Sequence, residues 1–364
     1  MYRDAEPAEL AARLGTSDQP FVLDVREPVE FAAWSIPSAV NIPFGELEAR
    51  VSEVPTDRDV ITVCASGSRS STAAEILSRA GRRVANLAGG MAMWAMVYDS
   101  VTVELDEVRV VQVRRRGKGC LSYLVGAGDQ AFVVDPSLDT EVYRRLADEH
   151  GWRIVRVFDT HLHADHLSGA RRLAEETGAS IHLNPADTFA FAYEPLHDED
   201  RFELPGRVNF RVAAIHTPGH TRGSTIYVVA DHLILSGDTL FVDSVGRPDL
   251  ADRAEEFAHN LYHSLHDKVL SLPDDAFVLP GHYSEDVIVT PDRPVGVALG
   301  ELRQVLVPLS YDEDQFVSWA TARAAPRPPN YGEIIQANMG RTDVPLLSLR
   351  QLEVGPNRCS ARPE

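Results

Sequence analysis

Residues 160–166 read Thr160-His161-Leu162-His163-Ala164-Asp165-His166 and follow an apolar run, Arg153-Ile154-Val155-Arg156-Val157-Phe158-Asp159. The run has the length and β-branched content of a buried strand. The pattern H-x-H-x-D-H therefore falls on the turn after that strand, where its side chains converge on one point. Imidazole suits zinc, iron, copper and nickel, and a carboxylate adds a hard ligand or a proton acceptor. A solvated histidine-rich turn would account for one or two of these residues, not for four in register. Three further candidates lie downstream: His220 in Thr217-Pro218-Gly219-His220-Thr221, Asp238 in Ser236-Gly237-Asp238-Thr239, and His282 in Leu279-Pro280-Gly281-His282-Tyr283. Each follows an apolar run that reads as a strand.

In order and spacing these stretches resemble the five-motif ligand set of the metallo-β-lactamase superfamily, over about residues 106 to 295. The resemblance implies an αββα sandwich with metals held by loops at one edge.

The chain has 364 residues, enough for two or three domains. Apolar residues make up 44% of it, which supplies a sizeable core. A formal net charge of −19 argues against an extended nucleic-acid surface and favours small-molecule chemistry. The charged start, Met1-Tyr2-Arg3-Asp4-Ala5-Glu6, has no signal-peptide core, and no run is long enough to span a bilayer. A cytoplasmic location is expected, with neither membrane nor nucleic acid as partner. Cys64, Cys120 and Cys359 are odd in number and far apart, which suits a reducing compartment. Cys120 lies in an apolar strand and reads as a core residue, and Cys359 lies in a polar tail.

The first hundred residues alternate strands (Phe21–Val25, Val60–Val63) with helices (Phe44–Val54, Ser70–Ala80), which predicts a mainly parallel sheet. Between the second strand and its helix lies Cys64-Ala65-Ser66-Gly67-Ser68-Arg69. Successive backbone N–H groups and the positive end of the following helix can cradle a thiolate or persulfide there. Gly67 lets the backbone curl around the sulfur, and Arg69 adds a fixed positive charge. Asp24 and Arg26, at the end of the first strand, read as structural support for that loop.

This loop, with Asp24-Val25-Arg26-Glu27, Ile36-Pro37-Ser38-Ala39-Val40-Asn41-Ile42-Pro43, Leu87-Ala88-Gly89-Gly90-Met91 and Trp94, resembles the rhodanese sulfurtransferases over about residues 5 to 98. The resemblance implies that Cys64 accepts a sulfane sulfur as a persulfide and passes it to a nucleophile. The related phosphatases have a longer loop that fits phosphate. Ala65 stands where many family members carry arginine.

The expected organisation is an α/β chain: a rhodanese-like domain at 1–98, a connection at 99–107, and a metallo-β-lactamase-fold domain at 108–364 with an appendage at 295–364. Helices are expected over Ala251–Leu270 and Gly296–Val307, and proline-rich punctuation at Ala325-Pro326-Arg327-Pro328-Pro329.

The ligand set fits two chemistries. If His161, His163 and His220 hold one metal and Asp165, His166 and His282 another, with Asp238 bridging, the site resembles dinuclear zinc thioester hydrolases of the glyoxalase II type, or lactonases. If only His161, His220 and Asp238 bind, the site is a 2-His-1-carboxylate triad with open positions, as in non-haem Fe(II) oxygenases. His163, Asp165, His166 and His282 then surround a single Fe(II). The persulfide dioxygenases of the superfamily use this second arrangement. Arg247, in Gly246-Arg247-Pro248-Asp249-Leu250, falls at the interval of their substrate-binding arginine, and Tyr283 is a second candidate for substrate contact. The rhodanese-like half tilts the balance toward them. The expected substrates are a small-molecule thiol persulfide and O2, with thiosulfate or sulfite at Cys64. A homo-oligomer is left open. A sulfur-binding sensor with a structural metal is a third reading, against which stand the open coordination positions and the intact Cys64.

Overall fold

A computed structural model of the chain describes residues 2–105, 108–204, 210–248, 253–284, 286–323, 327, 330–342, 352, 353, 355, 360 and 361. Cys359, Asp249, Leu250, the start of the 251–270 helix and most of the proline-rich stretch lie outside them.

The N-terminal unit contains strands β1 (Arg3–Ala5), β2 (Phe21–Asp24), β3 (Val40–Asn41), β4 (Val60–Val63) and β5 (Val84–Leu87). They pair in the order β1-β5-β4-β2-β3, and every pairing is parallel, as the strand–helix alternation requires. Helices α1 (Pro7–Arg13), α2 (Pro28–Ala33), α3 (Leu47–Arg50), α4 (Ser68–Arg79) and α5 (Gly90–Trp94) connect them. The sheet is buried on both faces. Val22, Ile61 and Val63 pack toward Trp34 and Trp94 on one side, and Leu23 and Val60 toward Leu47 and Leu77 on the other.

The second unit is a sandwich of two sheets. The first holds β6 (Tyr98–Leu105), β7 (Val108–Arg115), β8 (Cys120–Ala127), β9 (Gln130–Val134), β10 (Arg153–Phe158), β11 (Ser180–Leu183) and β12 (Glu194–Pro195), neighbours in that order. The second holds β13 (Arg201–Leu204), β14 (Phe210–His216), β15 (Thr225–Val229), β16 (Leu233–Gly237), β18 (Phe277–Pro280) and β19 (Val297–Ala298). A short pair, β17 (Val245–Gly246) with β20 (Ser360–Ala361), stands apart. Alternation along β8 explains the layering: Leu121, Tyr123 and Val125 face the second sheet, and Leu124 faces outward. The outer faces are covered by α6 (Glu141–His150) and α7 (Ala170–Thr177) on one side. On the other lie α8 (Ala254–His263), α9 (Leu299–Val305) and α10 (Glu313–Thr321). Each fully buried leucine on these helices, such as Leu173 or Leu261, contributes roughly 1.5–3 kcal/mol. Helix α11 (Tyr331–Asn338) returns to the metal-motif loop. None of the described helices is long and apolar enough to cross a membrane.

Two expectations need correction. Residues 98–105, placed largely in a connection, form β6, paired with β7 along its whole length from Tyr98–Arg115 to Leu105–Val108. The alternation of Val101, Val103 and Leu105 is the strand signal. The helix expected from Gly296 starts only at Leu299, because Val297 and Ala298 first add a strand beside β18.

The two units are joined by more than the chain. Trp34 Nε1 donates to the Gly117 carbonyl (2.9 Å), Arg115 Nε to the Ala95 carbonyl (2.7 Å), and the Arg116 amide to the Val97 carbonyl (2.9 Å).

Candidate metal centre and sulfur-accepting loop

Strands β14, β16 and β18 run in the same direction, so their C-terminal ends lie at one edge of the sheet. His220, Asp238 and His282 follow those ends, and the 160–166 loop follows β10 in the facing sheet. All seven candidate ligands are buried, at 4% exposure or less.

His161, His220 and Asp238 form one group. The Nε2 atoms of His161 and His220 stand 3.6 and 3.5 Å from Asp238 Oδ2. None of these three buried atoms has a hydrogen-bond partner among the described residues. Their remaining polar atoms are occupied. His161 Nδ1 is 2.9 Å from Thr160 Oγ1, which itself donates to Asp135 (2.8 Å). His220 Nδ1 donates to the Arg247 carbonyl (3.0 Å), and Asp238 Oδ1 accepts from His282 Nδ1 (2.7 Å). Unpaired polar atoms are costly in a protein interior, and three converging lone-pair donors, each oriented from behind, fit a metal ion. Burial, then His163, lowers the pKa of His161, and burial lowers that of His220, so both imidazoles are held in the neutral form that ligates. Burial alone would raise Asp238, but His282 and His161 hold its carboxyl far below the ordinary carboxylate range.

A second group places Asp165, His166 and His282 around Cys120, with one ligand atom from each within 4.8 Å of the others. Asp165 Oδ1 lies 3.2 Å from His166 Nδ1, and Oδ2 lies 2.9 Å from His282 Nε2, without hydrogen-bonding geometry at the latter. Burial opposes the charged form of His166, but Asp165 outweighs it and raises the pKa to about 10. His163 belongs to neither group: its Nε2 faces Asp135 Oδ1 at 3.1 Å, and its Nδ1 has no partner among the described residues.

Cys120 was expected in the core, and it is buried, but its sulfur sits 3.9 Å from Asp165 Oδ2. Burial would raise its pKa, yet His282 and His166 draw the thiol down to about 6. The placement comes from long-range pairing, since Cys120 and His282 form a β-bridge and the Leu121 amide donates to the Gly281 carbonyl (2.7 Å).

Other supporting residues carry no local motif. Asp187 accepts from the Leu162 amide (3.0 Å), Thr221 Oγ1 (2.9 Å) and the Gly223 amide (3.0 Å), tying the loops of His161 and His220 together. Asn338 donates to the carbonyls of His163 (2.9 Å) and His166 (2.8 Å) and accepts from the Ser168 amide (3.0 Å). Glu353, fully buried, accepts from the Leu167 amide (2.9 Å) and pairs with Arg115 (3.1 Å). The C-terminal appendage thus clamps the metal-motif loop.

Arg247 is buried, and its backbone carbonyl touches the group by orienting His220. Tyr283 lines a cavity between the two units, and its amide donates to the Gly119 carbonyl (3.0 Å).

In the N-terminal unit Cys64 follows β4 and is buried. Its sulfur accepts from the Gly67 amide (3.2 Å) and lies 3.3 Å from Ser70 Oγ. Gly67 caps α4 at φ 97°, a conformation that favours glycine. The loop rests on Gly90, where a Cβ would come within 2.2 Å of the Cys64 carbonyl. That contact explains the Gly89-Gly90-Met91 stretch, whose Met91 amide donates to the same carbonyl (2.9 Å). Arg69 is turned to Glu30 in a two-pronged pair (2.9 Å each), which holds the Glu30 carboxyl at about 2 despite its partial burial. Asp24 and Arg26 pair with each other (2.6 Å), and Arg26 donates to the Trp34 carbonyl (2.6 Å). The pair secures the segment leading to Trp34 and contacts none of residues 64–69 among the bonds described.

Residues 115–282 match the family described as the Metallo-beta-lactamase superfamily, and residues 6–96 match the Rhodanese-like domain. An uncharacterised protein of Mycobacterium leprae is 34% identical over 199 residues, covering 46% of this chain and 88% of the relative. The mitochondrial persulfide dioxygenase ETHE1 of Bos taurus is 29% identical over 227 residues, covering 61% of this chain and 84% of the relative. Among solved structures, a metallo-beta-lactamase of Staphylococcus aureus superposes with a TM-score of 0.60 at 25% identity, covering 65% of this chain and 74% of the other.

Proposed function

The chain belongs to the metallo-β-lactamase superfamily and carries a rhodanese-like domain ahead of that fold, and from this premise we propose that it is a persulfide dioxygenase coupled to sulfur transfer. The net reaction is R–S–SH + O2 + H2O giving R–SH, sulfite and two protons, with a low-molecular-weight thiol as R–SH. The observation that carries it is the trio of unpaired, buried atoms, His161 Nε2, His220 Nε2 and Asp238 Oδ2. Two imidazoles and one carboxylate oxygen are the donor set of non-haem Fe(II) oxygenases. The similarity to mitochondrial persulfide dioxygenases points the same way.

These three residues would hold one Fe(II), which when bound supplies the redox chemistry of O2 with the persulfide sulfur. The chain's own part is orientation and shielding. Thr160 and the Arg247 carbonyl fix the two imidazoles, and His282 fixes the carboxylate by taking its other oxygen. His163, Asp165 and His166 would stand beside that ion without holding it. Arg247 and Tyr283 are proposed to contact the carrier. In the N-terminal domain the Cys64 thiolate attacks a sulfane sulfur, forming a Cys64 persulfide and releasing sulfite or thiol. A second nucleophile then takes the outer sulfur and frees the thiolate. Gly67 shapes the loop, Arg69 sets its potential while paired to Glu30, and Asp24 with Arg26 braces the neighbouring segment.

The second reading, a dinuclear zinc hydrolase of thioesters or lactones, is favoured by one observation. His163 Nδ1 and His282 Nε2 also have no hydrogen-bond partner among the described residues, and Asp165, His166 and Cys120 stand ready beside the latter. Oxygen uptake with glutathione persulfide, beside hydrolysis of a glutathione thioester, separates the two. The dioxygenase reading predicts O2 consumption matched by sulfite. Thioester turnover with no persulfide-dependent uptake would replace it with the hydrolase.

A further inference from the structure

Between the two domains lies a cavity of about 440 Å³, within the size range of small-molecule sites, which favour domain interfaces. Trp34 and Trp94 of the N-terminal domain face Arg116, Lys118, Gly119 and Tyr283 of the C-terminal one across it. In a chain of net charge −19 its described lining has two cations and no carboxylate. Both cations are fixed in place: Arg116 pairs with Asp99 (2.8 Å), and Lys118, buried, donates to the Glu353 carbonyl (3.0 Å). Indole and aliphatic walls under a positive rim suit an organic anion with an apolar body.

The cavity's walls belong to the segments that carry both reaction centres, although none of the candidate ligands and none of residues 64–69 lines it. Gly119 and Tyr283 line it, while the residues beside them in the same paired segment, Cys120 and His282, belong to the metal centre. Trp94 ends α5, whose Met91 amide holds the Cys64 carbonyl.

We infer that this cavity binds a carboxylate-bearing low-molecular-weight thiol and keeps the sulfur carrier between the two domains. The identity of the carrier rests on the function proposed above; the anion site itself does not. A carrier retained here stays close to the segments that bear both centres, which raises its effective concentration without direct transfer from Cys64 to iron.

S-Methylglutathione, which cannot carry sulfur, is the probe, titrated into the holoenzyme by calorimetry and by tryptophan fluorescence, since Trp34 and Trp94 line the cavity. Saturable binding is expected. It should persist in Asp238→Ala, and weaken at least about tenfold, or ~1.4 kcal/mol, in Ser35→Phe, which fills the cavity from its N-terminal wall, and in Arg116→Gln. Oxygen uptake from saturating persulfide should be unchanged in Ser35→Phe, which also shows that this variant folds. Binding that survives both cavity variants, vanishes with Asp238→Ala, or is absent from the wild type overturns the inference while leaving the dioxygenase reading untouched. Binding at the cavity without persulfide-dependent O2 uptake overturns the dioxygenase reading and leaves the anion site standing.

Discussion

Asp238 divides its carboxylate between two neighbours: Oδ1 accepts from His282 Nδ1 at 2.7 Å, and Oδ2 is presented bare to His161 and His220. An imidazole donor behind a carboxylate sets the angle of the free oxygen and discourages a second ion from taking the occupied one. On the reading proposed above, His282 acts as a positioning residue. His282→Ala should weaken iron binding by roughly 10–100-fold without abolishing it, and His166→Ala should leave iron largely bound. Iron titration of the apo-protein checks both. Absence of iron from either variant at saturating metal would place that histidine on the ion.

The Asn338 side chain makes three hydrogen bonds to the 163–168 segment. At about 0.5–1.5 kcal/mol for each bond, Asn338→Ala should cost roughly 1.5–4.5 kcal/mol of loop ordering. The expected outcome is faster loss of iron to a chelator and reduced O2 uptake, with Cys64-dependent sulfur transfer from thiosulfate unaffected. Asn338→Asp should do no better, because a carboxylate would face two carbonyls. An unchanged chelation rate would show that the appendage is not a clamp.

The Cys64 thiol is pushed up by burial but drawn below its ordinary value by the Ser70 hydroxyl and the amides of Ser70, Ser66 and Gly67. A depressed pKa means that the thiolate persists to lower pH, so alkylation should rise through a midpoint below that of a free cysteine, about 8.5. The Ser70 hydroxyl also reaches Asn86 Oδ1 at 2.7 Å and the Gly67 carbonyl at 3.2 Å, so its one proton is shared among three acceptors. Ser70→Ala removes a donor to the charged form and should move the midpoint upward. A midpoint that stays in place would assign the depression to the backbone amides alone.

Much of the centre was legible because each ligand directly follows an apolar strand, and the ends of parallel strands β14, β16 and β18 share one edge. The sulfur loop was legible for the same local reason: Gly67 and the start of α4 are adjacent in sequence. Contacts made by long-range pairing left no such trace. Cys120 sits in an ordinary strand pattern and reaches the centre only because β8 meets the His282 loop. Asn338 and Glu353 act on residues 163–168 from 170 or more positions away. Arg247 falls at the interval of a substrate-binding arginine, but nothing in its motif signals that its carbonyl accepts from His220 Nδ1. Arg69 is expected from the loop to add a fixed positive charge, and nothing local signals that Glu30, distant in sequence, pairs with it in two prongs. Strand β6 was missed where its own alternation, Val101-Val103-Leu105, was available.

The central claim is that His161, His220 and Asp238 together hold a single iron. Metal analysis of the anaerobically purified wild type beside Asp238→Ala tests it most directly. The account predicts about one iron per chain in the wild type, as a triad with open positions requires, and none in the variant. Two zinc ions per chain in the wild type, or iron retained in full by Asp238→Ala, would contradict it.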